Sequence, residues 1–290
     1  MAGGRATDWL SRAAWFAGLW ALAHLLAVAL TYQVYPGHLD HNESSLVALT
    51  RLMIDGHTVY GGFDSPDRVS HAHGPMTFLW HALPQLLFGG GTGAGRAGAT
   101  AATLLVPLVM AATALARGTV PALLALSLGS AGILLHLNLS IVVRPDGPIT
   151  LLVACAVLLA ARSGKGLVAS LLMGLCMGAV VAFKINAGLY LVPVVLYHVA
   201  ADPIRRLAVI GAVSAAVAAL PFAFDAFPPA EYLSMLAGVA GKENTWRGFT
   251  ALWWKFALYL TIPPAIWLAG GRAAWAATDR PTKAYLAAYL

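Results

Sequence analysis

A succession of apolar runs, many of them near the length a helix needs to cross hydrocarbon, constrains this chain more than any other feature. They occupy roughly 13–32, 97–116, 120–142, 147–161, 166–183, 187–200, 207–224 and 251–271. A membrane span takes about 20 apolar residues as a helix. Backbone groups cannot stay unpaired in lipid, so only helices or closed barrels cross it. These runs are long and do not alternate with period two, so they predict helices. The expected fold is all-α: a polytopic transmembrane bundle forming one domain over 1–290.

Composition agrees. The 290 residues are 59% hydrophobic and 10% charged, against about 25% charge in a soluble domain. Mean hydropathy is +0.74. Eighteen Lys and Arg against twelve Asp and Glu give a net charge of +6, but the bases fall singly or in small groups between apolar stretches. No basic stripe exists to neutralise phosphates, so nucleic acid is not an expected partner. Cys155 and Cys176 both lie inside apolar runs and read as small buried hydrophobes, with no disulfide or metal spacing.

Arg5 and Arg12 ahead of the run Trp15–Leu30 also fit a signal peptide, but the many runs that follow favour an uncleaved first helix. The stretch 76–90 is short and contains Pro84. If it does not cross, a cytoplasmic N-terminus puts Arg117, Arg162 with Lys165, Arg205 with Arg206, and Arg272 with Arg280 and Lys283 inside, which obeys the positive-inside tendency. The stretch 76–90 is then re-entrant or interfacial, and 33–75, Arg144 with Asp146, Lys184 and 225–250 lie outside. The expected setting is a plasma membrane, the bacterial inner membrane, with the polar loops on its outer face. The terminal run Ala284–Leu290 reads as the start of another span, so the last spans of 251–290 are expected to be incomplete.

The outer loop 37–75 is the most polar stretch. Ser44 is placed to cap a helix with Leu46, Leu49, Leu52 and Met53 on one face, ended by Gly56. Such a helix would lie in the interface, apolar side down. Asp40 and Glu43, three residues apart, either hold a divalent cation or act as a base, or else only complement the helix dipole. His38, His41, His57, His71 and His73 share this loop; His71 and His73 have ligand spacing, against a plain reading as polar surface. Further on, Arg144 and Asp146 flank Pro145, and Lys184 interrupts an apolar run beside Asn186 and Tyr190. Charges there are costly and point to function, an anionic lipid phosphate being one partner for Lys184. Snorkelling or a loop salt bridge are the plainer alternatives. In the later outer loop, Trp246, Trp253 and Trp254 fit an interfacial belt or a sugar platform. The Gly-x-Gly-x-x-Gly match at 93–98 has no preceding strand, so it carries no dinucleotide reading, and no Gly-x-Ser-x-Gly elbow supports a hydrolase.

Taken together, Asp40, Glu43, Gly56, Tyr60, Gly74 and Pro75, then Arg144–Asp146 and Lys184–Tyr190, resemble the layout of the GT-C superfamily of membrane glycosyltransferases, which includes protein O-mannosyltransferases and bacterial aminoarabinose transferases. The resemblance covers about residues 15–200, the family's N-terminal module with its juxtamembrane helix. It implies inverting transfer of a sugar from a polyprenyl-phosphate donor to an acceptor. The first-loop acid, Asp40 or Glu43, would be the base, with a divalent metal (Mg or Mn) nearby and Asp146 in support. Arg144, Lys184, Tyr190, His73 and Tyr60 would contact substrate, the cations neutralising the departing phosphate. Many members carry adjacent acids, whereas Asn42 precedes Glu43 here, and this chain is shorter. The rival expectations are a transporter or flippase of an anionic or lipid-linked substrate, with mid-depth charges, and a non-catalytic membrane protein whose charged residues stay apart.

Overall fold

A computed structural model describes residues 3–61, 73–135, 140–162, 166–200 and 202–240. Every regular element among them is a helix. In order these are α1 (Gly3–Val34), α2 (His41–Ile54), α3 (Pro75–Phe88), α4 (Thr92–Ala114), α5 (Thr119–Leu135), α6 (Asp146–Arg162), α7 (Leu167–Phe183), α8 (Val192–Val199), α9 (Pro203–Ala219) and α10 (Pro229–Ala240). Short 3-10 turns at Leu115–Arg117, Ile185–Leu191 and Leu220–Ala223 extend α4, lead into α8 and close α9. Three stretches, Ser11–Val34, Thr92–Arg117 and Pro203–Ala223, are long and apolar enough to cross a membrane. The expected span 251–271, the 241–250 part of the late loop with Lys242, Glu243, Trp246 and Arg247, and His71 and Lys165 lie outside the described residues.

The helices pack through small residues that let their backbones approach closely. A Cβ on Gly18 of α1 would sit 3.1 Å from the Leu123 carbonyl of α5, and one on Gly178 of α7 would sit 2.6 Å from the Ser214 carbonyl of α9. Ala14 packs with Leu123 and Leu126, and Leu25 with Val106 and Ile133, so α1 and α5 run parallel in direct contact, with α4 antiparallel to both. Gly147 at the start of α6 lies against Ala99 and Thr103 near the start of α4. The starts of α4 and α6 and the ends of α1 and α7 therefore share one end of the bundle, here the loop end.

Several boundaries depart from expectation. The stretch 120–142 is not one helix: α5 stops at Leu135, and 141–145 is an irregular turn before α6, where Pro145 cannot donate to a helix ladder. The run 187–200 begins as a 3-10 turn and becomes α-helical only at Val192. The loop helix starts at Asp40, not Ser44, and ends before Gly56, whose φ of +87° suits glycine. Leu46 and Leu49 of α2 are buried against Phe78 and Val143, so that face meets protein. α3 starts where the Gly74 amide donates to the Phe183 carbonyl (2.8 Å). It ends beside α4, whose Gly93 carbonyl accepts from Gln33 of α1. Both of its ends are at the loop end, and Leu83, Leu86, Leu87 and Phe88 are exposed along it.

Candidate functional site

At the loop end, four segments meet on one buried arginine. Arg96, in the first turns of α4, is fully buried, and all five of its N–H groups have acceptors. Nε and Nη2 donate to Glu43 (2.8 and 2.7 Å), and Nη1 donates to the Tyr32 and Tyr35 carbonyls (2.8 and 2.6 Å) at the end of α1. Nη2 donates a second time, to the Gly37 carbonyl. Glu43 sits three residues into α2 and, much as in a capping box, reaches back to accept from the Leu39 amide (2.9 Å); the Val143 amide also donates to it (3.3 Å). Burial alone would raise the Glu43 pKa. The Arg96 hydrogen bonds, the Leu39 amide, the Arg96 charge and the Val143 amide outweigh burial and hold it below the ordinary carboxylate range.

This overturns the expectation for Glu43. A carboxylate whose oxygens serve a guanidinium and two amides, at zero exposure, has no position left for a metal or an acceptor's proton. The Asp40–Glu43 pair does not fit a divalent cation, and among the described residues no three His, Cys, Asp or Glu side chains come together as a ligand set. His38 and His57 are exposed.

Asp40, Arg144, Asp146 and Lys184 do come together. Arg144 Nε and Nη2 both bond Asp40 Oδ2, in a pair 18% and 13% exposed. Asp146 opens α6, where the helix dipole favours a carboxylate. It lies in the attractive fields of Lys184 and Arg144 and the repulsive field of Asp40. Lys184 caps α7, its amide closing that helix on the Val180 carbonyl. It is half-buried, and its ammonium makes no ion pair or hydrogen bond among the described residues. Next to this cluster opens a cleft of about 440 Å³, bounded by Val106, Met110, Ile133, Ile149 and Val153 and carrying Ser140, Asp146, Thr150 and the exposed Tyr190 at its polar positions.

Two other expected contacts do not face this cleft. Tyr60 is buried in a cluster with Phe78, Phe227 and Tyr232 and donates to the His73 carbonyl (2.8 Å). Burial, reinforced by Tyr232, pushes its phenol pKa far up, so it is a packing residue. His73 is half-buried and joins the site through that carbonyl, next to the Gly74 link to α7. Sequence reasoning missed His81, which is fully buried in α3 with Nδ1 2.9 Å from the Gly95 carbonyl and Nε2 3.3 Å from the Arg144 carbonyl. Burial, partly opposed by those carbonyls and by Glu43, pushes its pKa down to about 4. A neutral ring has one N–H, so it donates to one of these two carbonyls, joining α3 either to α4 at Gly95 or to the backbone of Arg144. Arg96 was also missed, because it lies in a glycine-rich segment just ahead of an apolar run.

Comparison with family models, with curated proteins and with solved structures finds no match.

Proposed function

We propose that this chain is a membrane glycosyltransferase that moves a sugar from a polyprenyl-phosphate donor to an acceptor. The observation that carries the reading is the Lys184 ammonium, without a counter-ion at bonding distance among the described residues, in a cluster with Arg144, Asp40 and Asp146, the last of which lines an apolar cleft. A polyprenyl phosphate has the complementary form: a phosphate for the cations and an aliphatic chain for the Val106–Ile133–Val153 walls. In this reading the end of the bundle carrying the cluster is the outer face, and the gathering of Arg117, Arg162, Arg205 and Arg206 at the other end supports that orientation. Charges at one end, not mid-depth, favour transfer over transport.

In this reading the acceptor oxygen attacks the anomeric carbon while the bond to the phosphate oxygen breaks, inverting the centre. Asp40, the first-loop acid left once Glu43 is committed to Arg96, takes the acceptor proton, with Arg144 fixing its orientation. Lys184, which Asp146 influences through its charge without bonding it, neutralises the departing phosphate, where a preorganised charge is worth most. Tyr190, at the cleft opening, contacts the sugar or the head of the lipid. The test is transfer of labelled sugar from polyprenyl phosphate by purified protein. Asp40→Asn and Lys184→Met should each lower the rate at least about a hundredfold, the scale of losing one base or one electrostatic stabiliser. Unaltered rates in both variants, or no transfer from any polyprenyl-phosphate sugar, would remove the reading.

A further inference from the structure

The opposite end of the bundle holds a second, smaller polar pocket. α7 runs 17 residues from Leu167 to Phe183, so the pocket at its start is about 25 Å from Lys184 at 1.5 Å per residue. It has a volume of about 250 Å³ and lies between the first turns of α7 and α9, lined by Gly166, Leu167, Ser170, Asp202, Arg205 and Arg206. Its wall is fixed. The Ser170 hydroxyl and His198 Nε2 are 3.1 Å apart, both residues are buried, and Arg206 donates to the His198 carbonyl (2.9 Å). Arg205 is exposed and makes no ion pair among the described residues.

Arg205, Arg206 and Asp202 line this space, two bases to one acid among the described lining residues. In addition, α7 and α9 both begin here, and neither N-cap residue, Gly166 or Asp202, makes a side-chain capping bond. The excess of positive charge therefore asks for an anion. Immediately beside the pocket, Ile204 and Leu207 of α9 are 84% and 53% exposed, so apolar surface continues from the charged site along a helix long enough to cross a membrane.

We propose that this pocket binds a phosphate group, Arg205 and Arg206 taking the anion, and that the anionic headgroup of a phospholipid supplies it, with the lipid chains lying on the Ile204–Leu207 face of α9. The inference does not depend on the transferase reading and is tested without a sugar-transfer assay.

The experiment uses the full chain purified in mild detergent. It is titrated separately with phosphatidylglycerol, phosphatidylcholine and inorganic phosphate. Bound lipid is counted by native mass spectrometry, and the phosphate arm is read by thermal stability. Phosphatidylglycerol should bind more tightly than phosphatidylcholine, and Arg205→Gln should weaken it about fivefold, the worth of one basic residue at an anionic membrane surface. Phosphatidylcholine binding should not change. Asp202→Asn, which keeps a capping residue but removes the carboxylate, should tighten the anion in whichever arm binds. Stabilisation by inorganic phosphate that Arg205→Gln abolishes, with no preference between lipids, would keep the phosphate site but assign it to a soluble ligand. Equal binding of the two lipids with no response to phosphate overturns the proposal. So does unaltered anion binding by the Arg205→Gln protein, or weaker binding by Asp202→Asn.

Discussion

Replacing Glu43 by Gln separates a structural carboxylate from a catalytic one. The change keeps the shape of the side chain but leaves the Arg96 charge buried without its counter-ion. Two of the four hydrogen bonds to Glu43 come from the guanidinium. Bonds to charged groups contribute roughly 1.5–3 kcal/mol each, and breaking a buried pair from one side typically costs about 3–5 kcal/mol. Both routes give a loss that is a large share of the 5–15 kcal/mol or so that holds an ordinary domain together. The assay is unfolding in mixed micelles followed by circular dichroism, on Glu43→Gln, Arg96→Gln and the double variant. The two changes should be strongly non-additive, with a coupling of about 2 kcal/mol or more. If Glu43 were instead the base, Glu43→Gln would abolish transfer and leave stability near its starting value. A loss below about 1 kcal/mol, or simple additivity in the cycle, would refute the buried-pair account.

His81 has a lowered pKa in the folded chain, so the unfolded state binds more protons between that value and the ordinary 6.5 or so. Stability should therefore rise with pH from about 4 to about 6.5 and fall by up to about 3 kcal/mol on acidification through that window; a pH series of unfolding midpoints checks this, and His81→Gln should flatten it. A Cβ on Gly132, which lines the cleft, would meet no atom within 4 Å, whereas one on Gly74 would run into the Ala182 carbonyl. Gly132→Leu should accordingly fill the cleft and depress transfer with stability almost unaltered, while Gly74→Ala should destabilise by several kcal/mol or prevent folding, both read by unfolding and transfer assays on the same preparations. Lys184→Arg should retain more activity than Lys184→Met, since charge at the phosphate matters more there than length; equal loss in the two would argue for a packing role.

The helices were legible as long apolar runs without period-two alternation, and the break at 141–145 was announced by Pro145. The meeting of Asp40 with Arg144, and of Asp146 with Lys184, was legible only as a set of expensive charges in an apolar chain; a sequence gives cost, not partner. Glu43 shows the limit. Its partner is 53 positions away, in a glycine-rich segment discounted as a false nucleotide motif, and no local pattern records that pairing. Tyr60 fits the resemblance by its spacing, but what decides its part is an aromatic cluster drawn from α3, the segment around Phe227, and α10. The pocket at Arg205 and Arg206 had been visible only as an orientation signal, because the space between two helix starts is a property of packing.

Arg96 also bears on how such a chain is put together. Its guanidinium is matched by the end of α1, by Gly37 and by Glu43 of α2, all of them earlier in the chain, so a lone α4 would carry the cation unmatched. α1, α2 and α4 are thereby one interdependent unit, joined through a single guanidinium whose acceptors are all in place before α4 itself is made.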